Sequence, residues 1–145
     1  MTTHRSRGFT LLELLVVISI MALATAGVGL ALRDSGSTLL EREAARLTAL
    51  LESARAQSRG AGIPVRWRAT AQGFRFEGLP SSGPAALPTH WLDAGTVVRG
   101  QATLLLGPEP LIGPQEVWIT HRQYPERVLR VATDGVRPFF VETAQ

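Results

Sequence analysis

The chain has 145 residues, a formal net charge of +3 and no cysteine. That length holds one membrane segment and one modest domain. The lack of thiols excludes disulfides, metal–thiolate centres and cysteine nucleophiles. All 15 basic residues are Arg, and two of them, Arg5 and Arg7, lie in the first eight positions. Without that head, 13 Arg face 12 acidic residues, so the remainder is close to neutral and argues only weakly for nucleic acid or an acidic substrate.

The rest of the chain is organised around Arg5 to Leu32. A short basic head ends at Gly8, an apolar run opens at Phe9, and Glu13 is the one charge before Arg33. The 19 residues Leu14 to Leu32 extend about 28 Å as a helix, just enough for a hydrocarbon core of about 30 Å. A cleaved secretory signal has this basic-then-apolar order, and Ala22-Leu23-Ala24 and Ala24-Thr25-Ala26 offer cleavage sites. Such a signal would leave a mature N-terminus at about Gly27, but a carboxylate inside its apolar region is unfavourable. An ordinary single-pass anchor would let Glu13 snorkel to the interface. Arg5 and Arg7 would then hold the N-terminus in the cytoplasm and send the C-terminal part out.

A third reading accounts for more of the residues. Gly8-Phe9-Thr10-Leu11-Leu12-Glu13-Leu14 resembles the class III signal of type IV pilins and type II secretion pseudopilins. The resemblance implies that a prepilin peptidase cuts between Gly8 and Phe9 and methylates the new amine of Phe9. It also places the family's assembly glutamate on Glu13. A carboxylate in hydrocarbon costs several kcal/mol unless it is paired. Cleavage would supply a cationic amine four residues away, within reach on a helix. The amine of a neighbouring subunit would serve as well and would couple neutralisation to fibre register; the residues leave both partners open. Gly27 and Gly29 fall late in the span, where they favour either fraying or close helix packing.

Arg33-Asp34-Ser35-Gly36-Ser37 is a polar break at the expected membrane exit. Helical periodicity resumes from Thr38 to about Ser58, with Leu40, Leu47, Leu51 and Ala54 on one stripe. Glu41, Arg42, Arg46, Glu52, Arg55 and Arg59 read as a solvated face. Gly60-Ala61-Gly62 and Pro64 end the helix.

From Ile63 the pattern becomes period two. Val65, Trp67 and Ala69 alternate with Arg66, Arg68 and Thr70, and Phe74 and Phe76 alternate with Arg75 and Glu77 across a turn at 71–73. This predicts a hairpin with one buried face and one Arg-rich face, the latter more simply solvated than a basic site. Gly78 to Thr89, with Pro80, Pro84 and Pro88, predicts a long loop and a place to meet a partner. Short strands are expected at Thr96–Val98, Thr103–Leu106, Val117–Thr120, Val128–Ala132 and Val136–Val141. A rigid turn is expected at 107–114 and a tight Asp134-Gly135 hairpin between the last two strands.

The pilin resemblance implies an α+β fold, with one long N-terminal helix packed on a C-terminal antiparallel β-sheet domain. Its expected parts are a leader over 1–8, a transmembrane and assembly helix over 9–32, an amphipathic helix over 33–59 and a β domain over 60–145. Gly107-Pro108-Glu109-Pro110-Leu111-Ile112 and the stretch Val128 to Phe139 resemble, within that superfamily, the minor pseudopilin H of type II secretion (the GspH type).

No grouping of residues supports catalysis, and the expectation is a non-enzyme without cofactor or metal. His4, His90 and His121 are scattered, with His121 read as a surface residue, and Glu109 and Glu116 are too isolated for a calcium site. The resemblance implies a structural subunit of a periplasmic pseudopilus that drives export across the outer membrane. Its partners would be other pseudopilins or pilins, the prepilin peptidase and an inner-membrane assembly platform, with no nucleic acid. The alternative is a minor pilin of a type IV pilus. If that pilus took up DNA, Arg127, Arg130 and Arg137 would be the phosphate contacts, diluted by Glu126, Asp134 and Glu142.

Overall fold

The computed structural model describes residues 10–100 and 103–143, with residues 29–37 described by backbone alone. The chain divides into two compact units, Met1–Ser35 and Gly36–Gln145. One helix, α1 (Leu11–Ala61), contributes to both. It runs through Gly27, Gly29 and the polar residues 33–37 without interruption, so the polar segment does not break the helix. It ends where expected: Gly62 adopts φ +66, a left-handed conformation that closes helices, and the Ile63 amide donates back to the Ser58 carbonyl at 3.2 Å.

Among the described residues seven strands follow: β1 (Arg66–Thr70), β2 (Gly73–Glu77), β3 (Thr96–Arg99), β4 (Thr103–Leu105), β5 (Gln115–His121), β6 (Tyr124–Thr133) and β7 (Phe140–Thr143). They form two antiparallel sheets, ordered β2-β1-β4 and β3-β5-β6-β7. The β1–β2 hairpin has the expected register, with Trp67 opposite Phe76 and Ala69 opposite Phe74. After β2 the proline-rich loop carries the chain to the second sheet for β3, and β4 then returns to the free edge of β1.

The helical stripe is buried as its spacing predicts: Leu40, Leu47, Leu51 and Ala54, joined by Ala44. These residues share one core with Trp67, Phe74, Trp91 and Leu104 near the first sheet and with Val117, Ile119, Leu129 and Val131 of the second. Phe74 is the aromatic centre, its ring 4.7 Å from Trp91 and 5.9 Å from both Trp67 and Phe76. Each fully buried large apolar side chain contributes about 1.5–3 kcal/mol, so this layer holds the second part of α1 against both sheets. The long loop is less free than its composition suggests. The Phe74 amide donates to the Thr89 carbonyl at 2.8 Å, and Leu79 and Leu87 pack against the core.

The Asp134-Gly135 pair does not make a two-residue hairpin. β6 ends at Thr133 and β7 begins at Phe140, and the Asp134 side chain shapes the longer connection. Its Oδ1 accepts from the Val136 and Arg137 amides at 2.9 and 2.8 Å. Gly135 sits at φ +91, and a Cβ there would collide with the Ile112 carbonyl, so this loop and the 107–114 turn close on each other only through a glycine.

Candidate functional site

The segment that the sequence singles out begins at residue 8, and Gly8 and Phe9 lie outside the described residues. The described part opens with Thr10, which caps α1. Its Oγ1 accepts the Glu13 amide at 3.2 Å and its carbonyl accepts the Leu14 amide at 3.1 Å. Thr10-x-x-Glu13 has the spacing of a capping box, a signal in the sequence that the assembly reading of Glu13 passes over. Glu13 therefore lies in the helix's first turn, where the macrodipole favours a carboxylate.

Leu11 to Val28 is long and apolar enough to cross a membrane, and none of it is buried by the protein. Leu11, Leu12 and Leu23 are more than 70% exposed. So extended an exposed apolar surface is compatible with membrane anchoring. The polar side chains within the span are satisfied internally. Ser19 donates to the Leu15 carbonyl at 2.8 Å, and Thr25 donates to the Met21 and Ala22 carbonyls at 2.9 and 3.0 Å. In hydrocarbon this removes most of the cost of a hydroxyl, and Glu13 remains the charge to be neutralised.

In the second unit, Arg55 and His121 depart from their expected solvated and surface roles, and Glu43 takes a role that the sequence patterns assign to no residue. Arg55, expected on the wet face of the helix, is 3% exposed. Its guanidinium donates to the Pro110 carbonyl at 3.1 Å and the Gly135 carbonyl at 3.2 Å, tying the helix to both turns beyond the sheets. Its neighbour Glu52 accepts the Phe139 amide at 2.9 Å. Glu43, which the periodicity gives no special place, is 1% exposed. One carboxylate oxygen accepts the Leu92 and Asp93 amides at 2.6 and 3.1 Å, and the other takes Arg46 at 3.2 Å. Helical charges here replace missing backbone partners of loops, a long-range need that local periodicity does not encode.

His121 is also buried rather than at the surface, because β5 turns its end inward over Gly95, which has no side chain to block the ring. Nε2 lies 2.9 Å from Asp93 Oδ1, and Nδ1 accepts the Gln123 amide at 3.1 Å. The Gly95 amide and then His121 hold the Asp93 carboxyl below its usual range. This pair joins the 78–95 loop to β5. Among the described residues, no three His, Asp or Glu side chains gather in a way that could hold a metal ion.

The Arg residues proposed as phosphate contacts are largely engaged. Arg130 bridges Glu116 at 2.7 Å and Glu142 at 2.6 Å, and its guanidinium lies 6.0 Å from the Trp118 ring centre. Arg130 in turn draws the Glu116 carboxyl below its ordinary range, with the Trp118 indole assisting. Arg137 pairs with Asp134 at 2.6 Å. Two backbone amides and this guanidinium pull the Asp134 carboxyl down to about 2, the Arg137 amide contributing most. On the hairpin, Arg68 and Arg75 converge on Glu77 at 3.5 and 3.0 Å, so the Arg-rich face is partly neutralised.

Residues 3–29 match the family model of the prokaryotic N-terminal methylation motif. No curated protein and no solved structure matches the chain. The match covers Gly8, Phe9, the Thr10 cap, Glu13 and all of the exposed apolar span, and it supports the type IV pilin-like class. The chain thus carries the prokaryotic N-terminal methylation motif at the head of an α+β, pilin-like fold.

Proposed function

We propose that this protein is a minor pseudopilin, a structural subunit of the periplasmic pseudopilus that drives protein export by type II secretion. In this reading, residues 1–8 are a leader cut between Gly8 and Phe9, Phe9 carries the N-methyl amine, and Glu13 is the assembly carboxylate. Residues 9–32 hold the subunit in the inner membrane until it enters the fibre. Residues 33–59 continue the helix into the periplasm, where 60–145 form the globular head. Other pseudopilins, the prepilin peptidase and the inner-membrane platform are the partners; no catalysis and no cofactor are required.

The observation that carries the reading is the lone carboxylate of Glu13 at the capped start of an unburied apolar helix, inside the methylation motif. A fibre assembled through cationic N-termini gives this carboxylate a use beyond the helix cap. Secretion is favoured over DNA uptake because two of the three Arg named for phosphates, Arg130 and Arg137, already pair with carboxylates, which weakens the case for a phosphate-binding Arg stripe. The test is Glu13→Leu expressed beside the other subunits of its system. Membrane insertion and leader cleavage should persist while recovery in sheared fibres is lost. Normal recovery of the variant in fibres would overturn the role given to Glu13.

A further inference from the structure

The outer face of the first sheet carries more positive charge than it neutralises. Trp67, Phe74 and Phe76 turn into the core, so Arg66, Arg68, Arg75 and Glu77 share the opposite face. The β1–β2 register sets Arg68 directly against Arg75, and like charges so placed destabilise a sheet. One atom offsets them. Glu77 Oε1 takes Arg75 at 3.0 Å and lies 3.5 Å from Arg68 Nε. The second contact is not a hydrogen bond, and Arg68 Nε, closed off from solvent, has no acceptor among the described residues. Arg66 stands opposite Glu77, but among the described residues it makes no ion pair. Three guanidiniums on this face therefore share one carboxylate. Beside them the surface turns apolar. Arg66, Leu105 and Glu109 line two adjoining hollows of about 370 and 670 Å³, with Pro64 in the first and Leu111 in the second. Leu105 and Leu111 are 55% and 67% exposed.

We propose that this face docks an acidic, partly apolar segment of another protein, laid over β1 in extended form. Carboxylates two residues apart on such a segment project from one side at strand spacing, the spacing that Arg66 and Arg68 share. One carboxylate meets the Arg68–Arg75 pair and supplies the acceptors that Glu77 cannot give to both. The other meets Arg66, whose planar fork suits a carboxylate. An apolar residue two positions further on the same side reaches Leu105 and the hollow beside Leu111. The mixture of groups selects a polypeptide. A nucleic-acid backbone or an anionic bilayer brings unbroken negative charge against Glu77 and Glu109 and has nothing to place on the leucines, whereas a polypeptide varies its side chains residue by residue. This inference does not depend on the secretion reading.

The test titrates the full-length protein, held in phosphatidylcholine nanodiscs, with the fluorescein-labelled peptide Ser-Glu-Ser-Glu-Ser-Leu-Ser and follows polarisation. The same peptide with Gln in place of Glu, and an oligothymidylate of similar length, are run beside it. The acidic peptide should bind saturably, several-fold more tightly than either of the others, and more weakly as salt rises. Arg66→Gln and Arg68→Gln should each weaken it several-fold, and Leu105→Ser should weaken it too. Arg122→Gln, exposed and outside this sheet, should leave it unchanged. Tryptophan melting curves check that each variant is folded; Arg66, which makes no ion pair among the described residues, keeps the test open if Arg68→Gln does not fold. No saturable binding of the acidic peptide, equal binding of the Gln peptide, tighter binding of the oligothymidylate, or affinity unmoved by Arg66→Gln would each overturn the proposal.

Discussion

Glu43 offers the sharpest test of how the head is held on its helix. Its carboxylate is buried and makes two bonds to the Leu92 and Asp93 amides and one to Arg46, whose side chain is 20% exposed. Hydrogen bonds to charged groups contribute about 1.5–3 kcal/mol each, and deleting one partner of a buried charged cluster costs about 3–5 kcal/mol. Glu43→Ala should therefore destabilise the head by about 3–5 kcal/mol, moving a urea midpoint down by about 1.5–2.5 M at an ordinary m-value. Glu43→Gln keeps an acceptor for the two amides and loses the part-exposed ion pair, at a cost of about 1 kcal/mol. All three tryptophans, Trp67, Trp91 and Trp118, lie in the second unit, so their fluorescence in detergent micelles follows this transition alone. A Glu43→Ala protein within about 0.5 kcal/mol of wild type, or a Glu43→Gln protein as unstable as Glu43→Ala, would refute the reasoning.

Arg55→Met should cost about 3–5 kcal/mol, because the Pro110 and Gly135 carbonyls lose their buried donor; amide exchange of the 134–139 loop should accelerate before global unfolding does. Asp134 gives a pH signature. Its folded pKa of about 2 lies below the ordinary 3.8, so its contribution is present above the higher value and disappears as pH falls through the lower one. Asp134→Asn should thus be less stable than wild type near neutral pH, with the gap narrowing below pH 3.8 and closing only below pH 2, read as thermal midpoints across a pH series. Leu51→Ala, at a position with no exposure, should cost about 2–5 kcal/mol while leaving membrane insertion untouched, checked by fractionation and by thermal melting.

What could be read from the sequence was what local chemistry writes into neighbouring residues. The Leu40–Leu47–Leu51–Ala54 stripe and the Trp67–Phe76 hairpin emerge from period 3.6 and period two, and the core uses them as those patterns require. The head was legible because its signal is contiguous, and the family match falls on it. Residues whose partners are distant in sequence were misread or overlooked. Periodicity puts Arg55 on a wet face because no local pattern anticipates Gly135, 80 positions away, as its acceptor. His121 was placed at the surface because the space left by Gly95 becomes visible only in three dimensions. Asp134-Gly135 has the composition of a two-residue turn, yet its carboxylate finds two amides further along and builds a longer loop. The division into two sheets likewise follows from β4 crossing back to β1, which strand periodicity does not specify.

Assembly through Glu13 requires an amine created by cleavage, and the mature N-terminus tests that most directly. Intact-mass and terminal-peptide spectrometry of the protein purified from its native membrane should find a chain beginning at N-methylated Phe9, lacking the first eight residues. A chain that keeps its leader, or one that begins near Gly27, would contradict the account.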